Sequence, residues 1–224
     1  MAEMSLRSTN DIGEEADTKV KKNILTMENP IFQRSSQSSK IESVIEELQK
    51  IRQEGTREKS VIVSQWTSML EVVKEHLREV GIRCHTISGQ VQVKERTSIV
   101  EDFNTNPKGP KVMLLSLAAG GVGLNLVGAN HLFLLDMHWN PQLEAQACDR
   151  IYRVGQTRPV TVHRFVIQNT VEERILELQQ KKLQLADVKS FLVSSAAQNK
   201  LTLEDMKALF NIGENNAPCS KGWY

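Results

Sequence analysis

Two hydrophobic patterns alternate along most of the chain. Short, almost wholly apolar runs are separated by segments in which apolar residues recur every three or four positions. The runs predict buried strands and the periodic segments predict helices. The expected strands are 60–64, 82–87, 111–116, 131–136 and 160–166. Apolar strands separated by helices indicate a parallel sheet covered on both faces, so we expect a three-layer α/β domain.

The two ends of the chain differ from this middle part. Residues 1–39 are polar without sustained periodicity, and they predict a disordered leader or linker. Residues 40–189 carry the alternating pattern. Residues 190–224 predict a polar linker, a short amphipathic helix and a flexible tail. We expect that helix, from Leu203 to Phe210, to dock on its own domain, with docking on a partner as the alternative.

The composition narrows the possible classes of protein. The chain has 28 Lys and Arg against 27 Asp and Glu, a net charge of +1. This balance excludes a histone-like basic protein, so any binding to a polyanion must depend on where charges are placed. Three cysteines stand far apart, which favours neither a disulfide framework nor a zinc module. The histidines also lack ligand spacing, and we expect no metal site.

One uncharged stretch raises the question of a membrane span. The stretch from Val112 to Leu135 holds no charged side chain and is long enough to cross a bilayer. Four glycines interrupt it, so two buried strands joined by a glycine-rich turn explain it better. The N-terminus has no apolar secretory signal either. We expect no membrane partner.

Polar or glycine-rich segments follow the predicted strands, where parallel sheets bind ligands. The turn at 118–125, Ala-Ala-Gly-Gly-Val-Gly-Leu-Asn, would let backbone amides approach an anion closely, although a tight strand exit would use the same glycines. A dinucleotide fingerprint is disfavoured because Leu126 stands where Gly or Ala is needed. No Walker A sequence occurs, so the usual triphosphate cradle is absent from this chain.

The segment after Pro141 carries the sharpest pattern of charge. We expect a helix over Gln142–Val154, which would place Gln146, Arg150 and Arg153 on one face at spacings of four and three residues. Asp149 could then pair with Arg153 across one turn. Two arginines held on one face suit phosphate recognition, while composition alone favours a solvated charged face.

Four motifs give this pattern its context. The strings are VIVSQW (61–66), LSLAAGGVGLN (115–125), LDMHWNP (135–141) and DRIYRVGQ (149–156). In this order they resemble motif IV, motif V, the block between V and VI, and motif VI of the Swi/Snf branch of superfamily-two helicase-like ATPases. The resemblance implies that residues 40–189 form the second of two RecA-like lobes. The surrounding sequence is most similar to the transcription-termination subgroup of that family.

The resemblance also implies roles for individual residues in ATP hydrolysis. Arg150 and Arg153 would act as arginine fingers, helped by Gln146. Gly121, Gly123 and Asp149 would contribute to nucleotide binding. ATP with Mg²⁺ would be held mainly by the first lobe, which this chain lacks, so we expect the isolated chain to be inactive.

DNA and protein partners follow from the same resemblance. Double-stranded DNA would be contacted through its backbone by Ser64, Gln65, Thr67, Ser116 and Asn125, with simple turn chemistry as the alternative for each. The other expected partners are the N-terminal RecA-like lobe and an RNA polymerase II elongation complex displaced from DNA in the nucleus. A non-hydrolysing DNA- or protein-binding module derived from such a lobe is the alternative function.

Two tryptophans lie on the loops that follow predicted strands. Trp66 and Trp139 could each stack on a base or a ribose. Tryptophans in such loops more often wedge the loop against the core, and we expect this packing role for both.

Overall fold

The computed structural model describes residues 36–54, 57–119, 123–189 and 202–210. Its strands are β1 (Ser60–Ser64), β2 (Cys84–Ile87), β3 (Val112–Ser116), β4 (His131–Leu134) and β5 (Thr161–Arg164). Its helices are α1 (Ser39–Glu54), α2 (Thr67–Glu79), α3 (Val93–Thr105), α4 (Pro141–Cys148), α5 (Val171–Lys189) and α6 (Leu203–Phe210). The predicted leader lies outside the described residues up to 35, as do 190–201 and the tail after 210.

All described strands are parallel, in the order β2-β3-β1-β4-β5. The middle strand β1 pairs with β3 from Ser60 opposite Val112 to Ser64 opposite Ser116. Strands β1 and β3 are buried along their whole length, as their apolar sequences require. The loops after β1, β3 and β4 therefore emerge side by side at one edge of the sheet.

Side chains alternate between the two faces of the sheet, and each face has its own core. Val61 and Val63 of β1 belong to a cluster that includes Phe103 of α3 and Ala147 of α4. Ile62 of β1 belongs to the opposite cluster, with the apolar stripes of α1 and α2. Successive side chains of a strand point to opposite faces of the sheet, and helices pack on both of these faces. The predicted three-layer α/β architecture is confirmed.

The short helix α6 docks on α5 of the same chain, as expected. Leu209 is buried, its carbonyl oxygen accepts a hydrogen bond from Arg174 at 3.0 Å, and Lys182 lies 3.4 Å from Asp205. Phe210 remains exposed on the other side of this helix. Among the helices of the described ranges, none is long and apolar enough to cross a membrane.

Candidate functional site

The loops that follow β1 and β4 are joined by one carboxylate. Asp136, after β4, accepts hydrogen bonds from the hydroxyl of Ser64 and from the backbone N–H of Gln65, the latter at 3.1 Å. Ser64 is fully buried, and its oxygen also accepts from the N–H of Trp66 at 3.0 Å. The hydroxyl of Ser64 thus stabilises the turn after β1. Gln65 is partly exposed, and Thr67 is exposed at the edge of the sheet.

The loop after β3 begins beside this turn. Ser116 is 2% exposed and pairs with Ser64 in the sheet, so its hydroxyl is also inside the protein. Gly121 lies outside the described residues. Gly123 is exposed, and a Cβ added to it would meet no atom of the described residues within 4 Å. Within that part of the chain, nothing blocks the approach of a ligand to Gly123.

Asn104, at the end of α3, holds the second half of this loop. Its side-chain amide donates to the carbonyl oxygen of Asn125 at 2.8 Å, and its oxygen accepts from the N–H of Gly128 at 2.9 Å. Leu124 and Leu126 are buried on either side of Asn125, whose own side chain is exposed. The loop is fixed from below and presents Asn125 outward.

The segment that carries the two arginines is not helical, contrary to the sequence prediction. Helix α4 ends at Cys148 and not near Val154. The N–H of Leu126 donates to the carbonyl oxygen of Arg150 at 2.8 Å, and Ile151 is fully buried in the core. Turn hydrogen bonds continue past α4, as from the N–H of Tyr152 to the carbonyl oxygen of Cys148 at 2.8 Å, but the carbonyl oxygen of Arg150 is taken by Leu126 and the helix does not extend. The partner Leu126 is distant in sequence, so local periodicity does not reveal it.

A glutamine completes the connection between the two loops. The side-chain amide of Gln156 donates to the carbonyl oxygens of Ala129 at 2.6 Å and Ile151 at 3.3 Å. Together with the bond between Leu126 and Arg150, this joins the loop after β3 to the arginine segment. The two candidate binding segments form one hydrogen-bonded unit.

The predicted stripe of Gln146, Arg150 and Arg153 does not form on a helical face, because both arginines lie beyond α4. The expected Asp149–Arg153 ion pair is also absent among the described residues, since the one-turn geometry it needed is lost. Gln146, Asp149 and Arg153 are exposed. Arg150 is half-buried, and its buried Nε has no hydrogen-bond partner within the described chain. Both guanidinium groups are left without a carboxylate partner there.

A buried carboxylate supports the loop before α4. Glu144 is 2% exposed, and it accepts hydrogen bonds from the N–H of His138 at 3.1 Å and from Gln179 of α5 at 2.6 Å. Its other oxygen lies 3.4 Å from Nε of Arg164. Burial lowers the pKa of His138, whose Nδ1 accepts from the N–H of Asn140 at 2.9 Å. The loop is therefore held by neutral and charged hydrogen bonds from two helices.

The two tryptophans differ in exposure. Trp66 is 61% exposed, so the expectation that it wedges its loop against the core is wrong. Ser64 and Asp136 already close that turn, which leaves the indole facing outward. Trp139 is partly buried, and the ammonium of Lys182 lies 4.6 Å from the centre of its ring. Trp139 therefore packs against α5, but it belongs to neither core cluster of the described residues.

Sequence reasoning assigned no role to Asp136, Asn104 or Glu144. Asp136 could have been found as the acid directly after a buried strand, next to the loop of the neighbouring strand. Asn104 and Glu144 carried no comparable signal, because their partners are distant in sequence. Within the described ranges, no group of three or more His, Cys, Asp or Glu side chains could hold a metal ion.

The sequence profile described as "Helicase conserved C-terminal domain" matches residues 39–155. The chain belongs to the helicase conserved C-terminal domain family. It is 49% identical over 194 residues to transcription termination factor 2 of Drosophila melanogaster, an alignment that covers 87% of this chain and 18% of that protein. The chain therefore spans less than a fifth of this relative.

Solved structures place this helicase C-terminal domain within the Swi2/Snf2 branch. The C-terminal part of the Fun30 ATPase domain superposes with a TM-score of 0.62 at 27% identity, covering 88% of this chain and 55% of that one. The Sulfolobus solfataricus SWI2/SNF2 ATPase core, solved in complex with double-stranded DNA, gives 0.59 at 26% identity, covering 91% and 43%. The RecA-like fold and the resemblance to Swi/Snf ATPases are confirmed.

Proposed function

We propose that the complete protein is a DNA-stimulated ATPase that moves along duplex DNA, and that this lobe supplies its arginine fingers. The observation that carries the proposal is the pair of guanidinium groups of Arg150 and Arg153, which have no carboxylate partner among the described residues. A buried donor without an acceptor is costly, so the Nε of Arg150 favours an anion brought from outside the lobe.

A nucleoside triphosphate would be the anion that these arginines meet. In phosphoryl transfer, negative charge spreads over the transferred group, and an arginine positioned beside it accelerates the reaction by about 10³ to 10⁵. Arg150 and Arg153 would provide this charge, with Gln146 orienting the nucleotide or its attacking water. ATP with Mg²⁺ would be held mainly by the N-terminal lobe. Gly121, Gly123 and Asp149 would contribute to the same nucleotide site, which the exposure of Gly123 supports.

Duplex DNA would contact the neighbouring loops. Gln65, Thr67 and Asn125 present amides and a hydroxyl at the surface, while the hydroxyls of Ser64 and Ser116 are buried. Direct contact with sugar and phosphate is therefore proposed for the first three, and the two serines would act by shaping the loops. Contacts to the sugar–phosphate backbone of DNA do not depend on base sequence, which suits movement along DNA of any sequence. The similar Sulfolobus ATPase core was solved with double-stranded DNA.

Similarity to transcription termination factor 2 supports a role in ending transcription. Movement along the template would bring the complete protein against an RNA polymerase II elongation complex and displace it, which places the activity in the nucleus. Release of labelled transcript from stalled elongation complexes, dependent on ATP, tests this assignment.

The arginine assignment is tested in the complete two-lobed protein with Arg153→Ala. We expect DNA-stimulated ATP hydrolysis to fall by about 10³ or more, since the finger acts in the transition state. DNA affinity should stay within about twofold, because Arg153 is not proposed to contact DNA. Lys181→Ala, which removes an exposed cation of α5, serves as the matched control and should leave hydrolysis unchanged.

Wild-type hydrolysis in Arg153→Ala would refute the finger. If the wild-type protein bound DNA but hydrolysed no ATP in its presence, the lobe would belong to a binding module instead of a motor.

A further inference from the structure

A concave pocket of about 350 Å³ lies at the amino edge of the sheet, opposite the loops described above. Ser60 and Val112, the first residues of β1 and β3, mark this edge. The other walls are the end of α1, the turn between α2 and β2, and the loop before β3. The volume falls at the lower end of the range for ligand pockets, about 300–1,000 Å³.

The floor of the pocket is aliphatic. Leu48 and Ile51 of α1, Ile82 before β2 and Val112 of β3 line it, and each is at most 8% exposed. These side chains are part of the core beneath, so the floor is preformed and rigid. An apolar side chain entering the pocket would be removed from water.

The rim of the pocket is basic. Among the described residues, four cations line it, Arg52, Arg83, Lys108 and Lys111, against the single acid Glu58. Arg83 donates to the carbonyl oxygen of Lys108 at 2.7 Å, a neutral partner that leaves the charge of the guanidinium in place.

The single acid of the rim is already engaged. Glu58 accepts a hydrogen bond from Asn130 and lies 3.3 Å from Nε2 of His131. Nearby, burial and then the positive charge of Lys111 lower the pKa of Lys59, which agrees with a positive potential at this edge. The rim therefore favours anionic groups around an apolar centre.

We propose that this pocket binds a short acidic peptide segment of a partner protein, with an apolar side chain of that segment seated on the aliphatic floor. Charge complementarity selects Asp and Glu for the rim. A nucleic acid would satisfy the rim, but its sugars and phosphates would leave the aliphatic floor unused. The peptide is therefore favoured over nucleic acid at this edge.

The test uses the 224-residue chain and a fluorescein-labelled peptide with a central Leu-Phe pair flanked by Asp and Glu, followed by fluorescence anisotropy. The pocket variant is the double charge reversal Arg52→Glu with Lys108→Glu, both at exposed positions. The control, Lys94→Glu with Lys181→Glu, changes the net charge equally at exposed sites outside the pocket. Circular dichroism verifies that both variants are folded.

We expect the Kd of the peptide to rise at least about tenfold in the pocket variant and by less than about twofold in the control. Replacing Leu-Phe by Ser-Ser in the peptide should weaken binding by about tenfold as well, because the floor is then unused.

Three results would overturn the proposal. Equal weakening by both double variants would mean that only net charge matters. Equal affinity for the Ser-Ser peptide would mean that the floor takes no part. The third result has two parts: a short DNA duplex displaces the peptide, and the affinity for this duplex falls as much in the pocket variant as the affinity for the peptide does. This result would assign the pocket to nucleic acid.

Discussion

Gly128→Ala probes the contact that fixes the loop after β3. A Cβ at this position would lie 2.6 Å from Cα and 2.7 Å from Oδ1 of Asn104. The Cα belongs to the backbone at the end of α3 and cannot rotate away, so the loop must move. Overpacking of this kind costs about 1–3 kcal/mol. The bond between the N–H of Gly128 and Asn104, now 2.9 Å, would be lost as well, adding about 1 kcal/mol.

The total of about 2–4 kcal/mol is a large part of the stability of a domain. For a chain of this size it corresponds to a decrease in Tm of roughly 5–15 °C. Urea and thermal unfolding followed by circular dichroism on the 224-residue chain measure it. Gly123→Ala is the matched control in the same loop. No atom of the described residues lies within 4 Å of its added Cβ, so its free energy of unfolding should be unchanged or raised by about 0.4–1 kcal/mol.

Two outcomes would refute this reasoning. A Gly128→Ala protein within about 0.5 kcal/mol of the wild type would show that the close approach does not exist. Full rescue by adding Asn104→Ala would show that the obstacle is the flexible side chain alone, since that change leaves the Cα of residue 104 in place.

Two further substitutions test the charged groups. Glu144→Ala should lower the free energy of unfolding by about 2–4 kcal/mol, because it leaves the N–H of His138 and one of the two side-chain N–H groups of Gln179 without an acceptor; urea unfolding measures the loss. Asp102→Asn tests a pH dependence. The hydrogen bond from His85, 2.9 Å long, holds the pKa of Asp102 below its usual value, so this carboxylate stabilises the fold above its unfolded pKa. The difference in stability between wild type and Asp102→Asn should therefore shrink as the pH falls below about 4.

Glu144→Ala has a matched control. Glu95→Ala removes an exposed acid from the first turn of α3 and should change stability by less than about 0.5 kcal/mol. A loss as small as this in Glu144→Ala would contradict the buried network. For Asp102, a stability difference that grows on acidification would contradict the assigned direction of the pKa.

The sheet could be predicted from the sequence because its signal is local. Strands β1, β3 and β4 are short apolar runs, and an apolar sequence is the main requirement for a strand that is buried on both faces. The N-terminus of α4 was also readable, since the side chain of Asn140 caps it and Pro141 occupies its first turn.

The arginine segment could not be predicted in the same way. Its helical periodicity is present in the sequence, but the hydrogen bond from Leu126 and the burial of Ile151 decide its backbone. The exposure of Trp66 likewise depends on Asp136, whose hydrogen bonds to Ser64 and Gln65 span more than seventy residues of sequence. Tertiary contacts override local preference at these places.

The bond between Leu126 and Arg150 has a mechanical consequence. This hydrogen bond connects the backbone next to Asn125 with the backbone of Arg150, so a displacement of one segment shifts the other. In the proposed motor, DNA bound to the loop after β3 would thereby change the positions of Arg150 and Arg153. DNA could then stimulate ATP hydrolysis through this hydrogen bond alone.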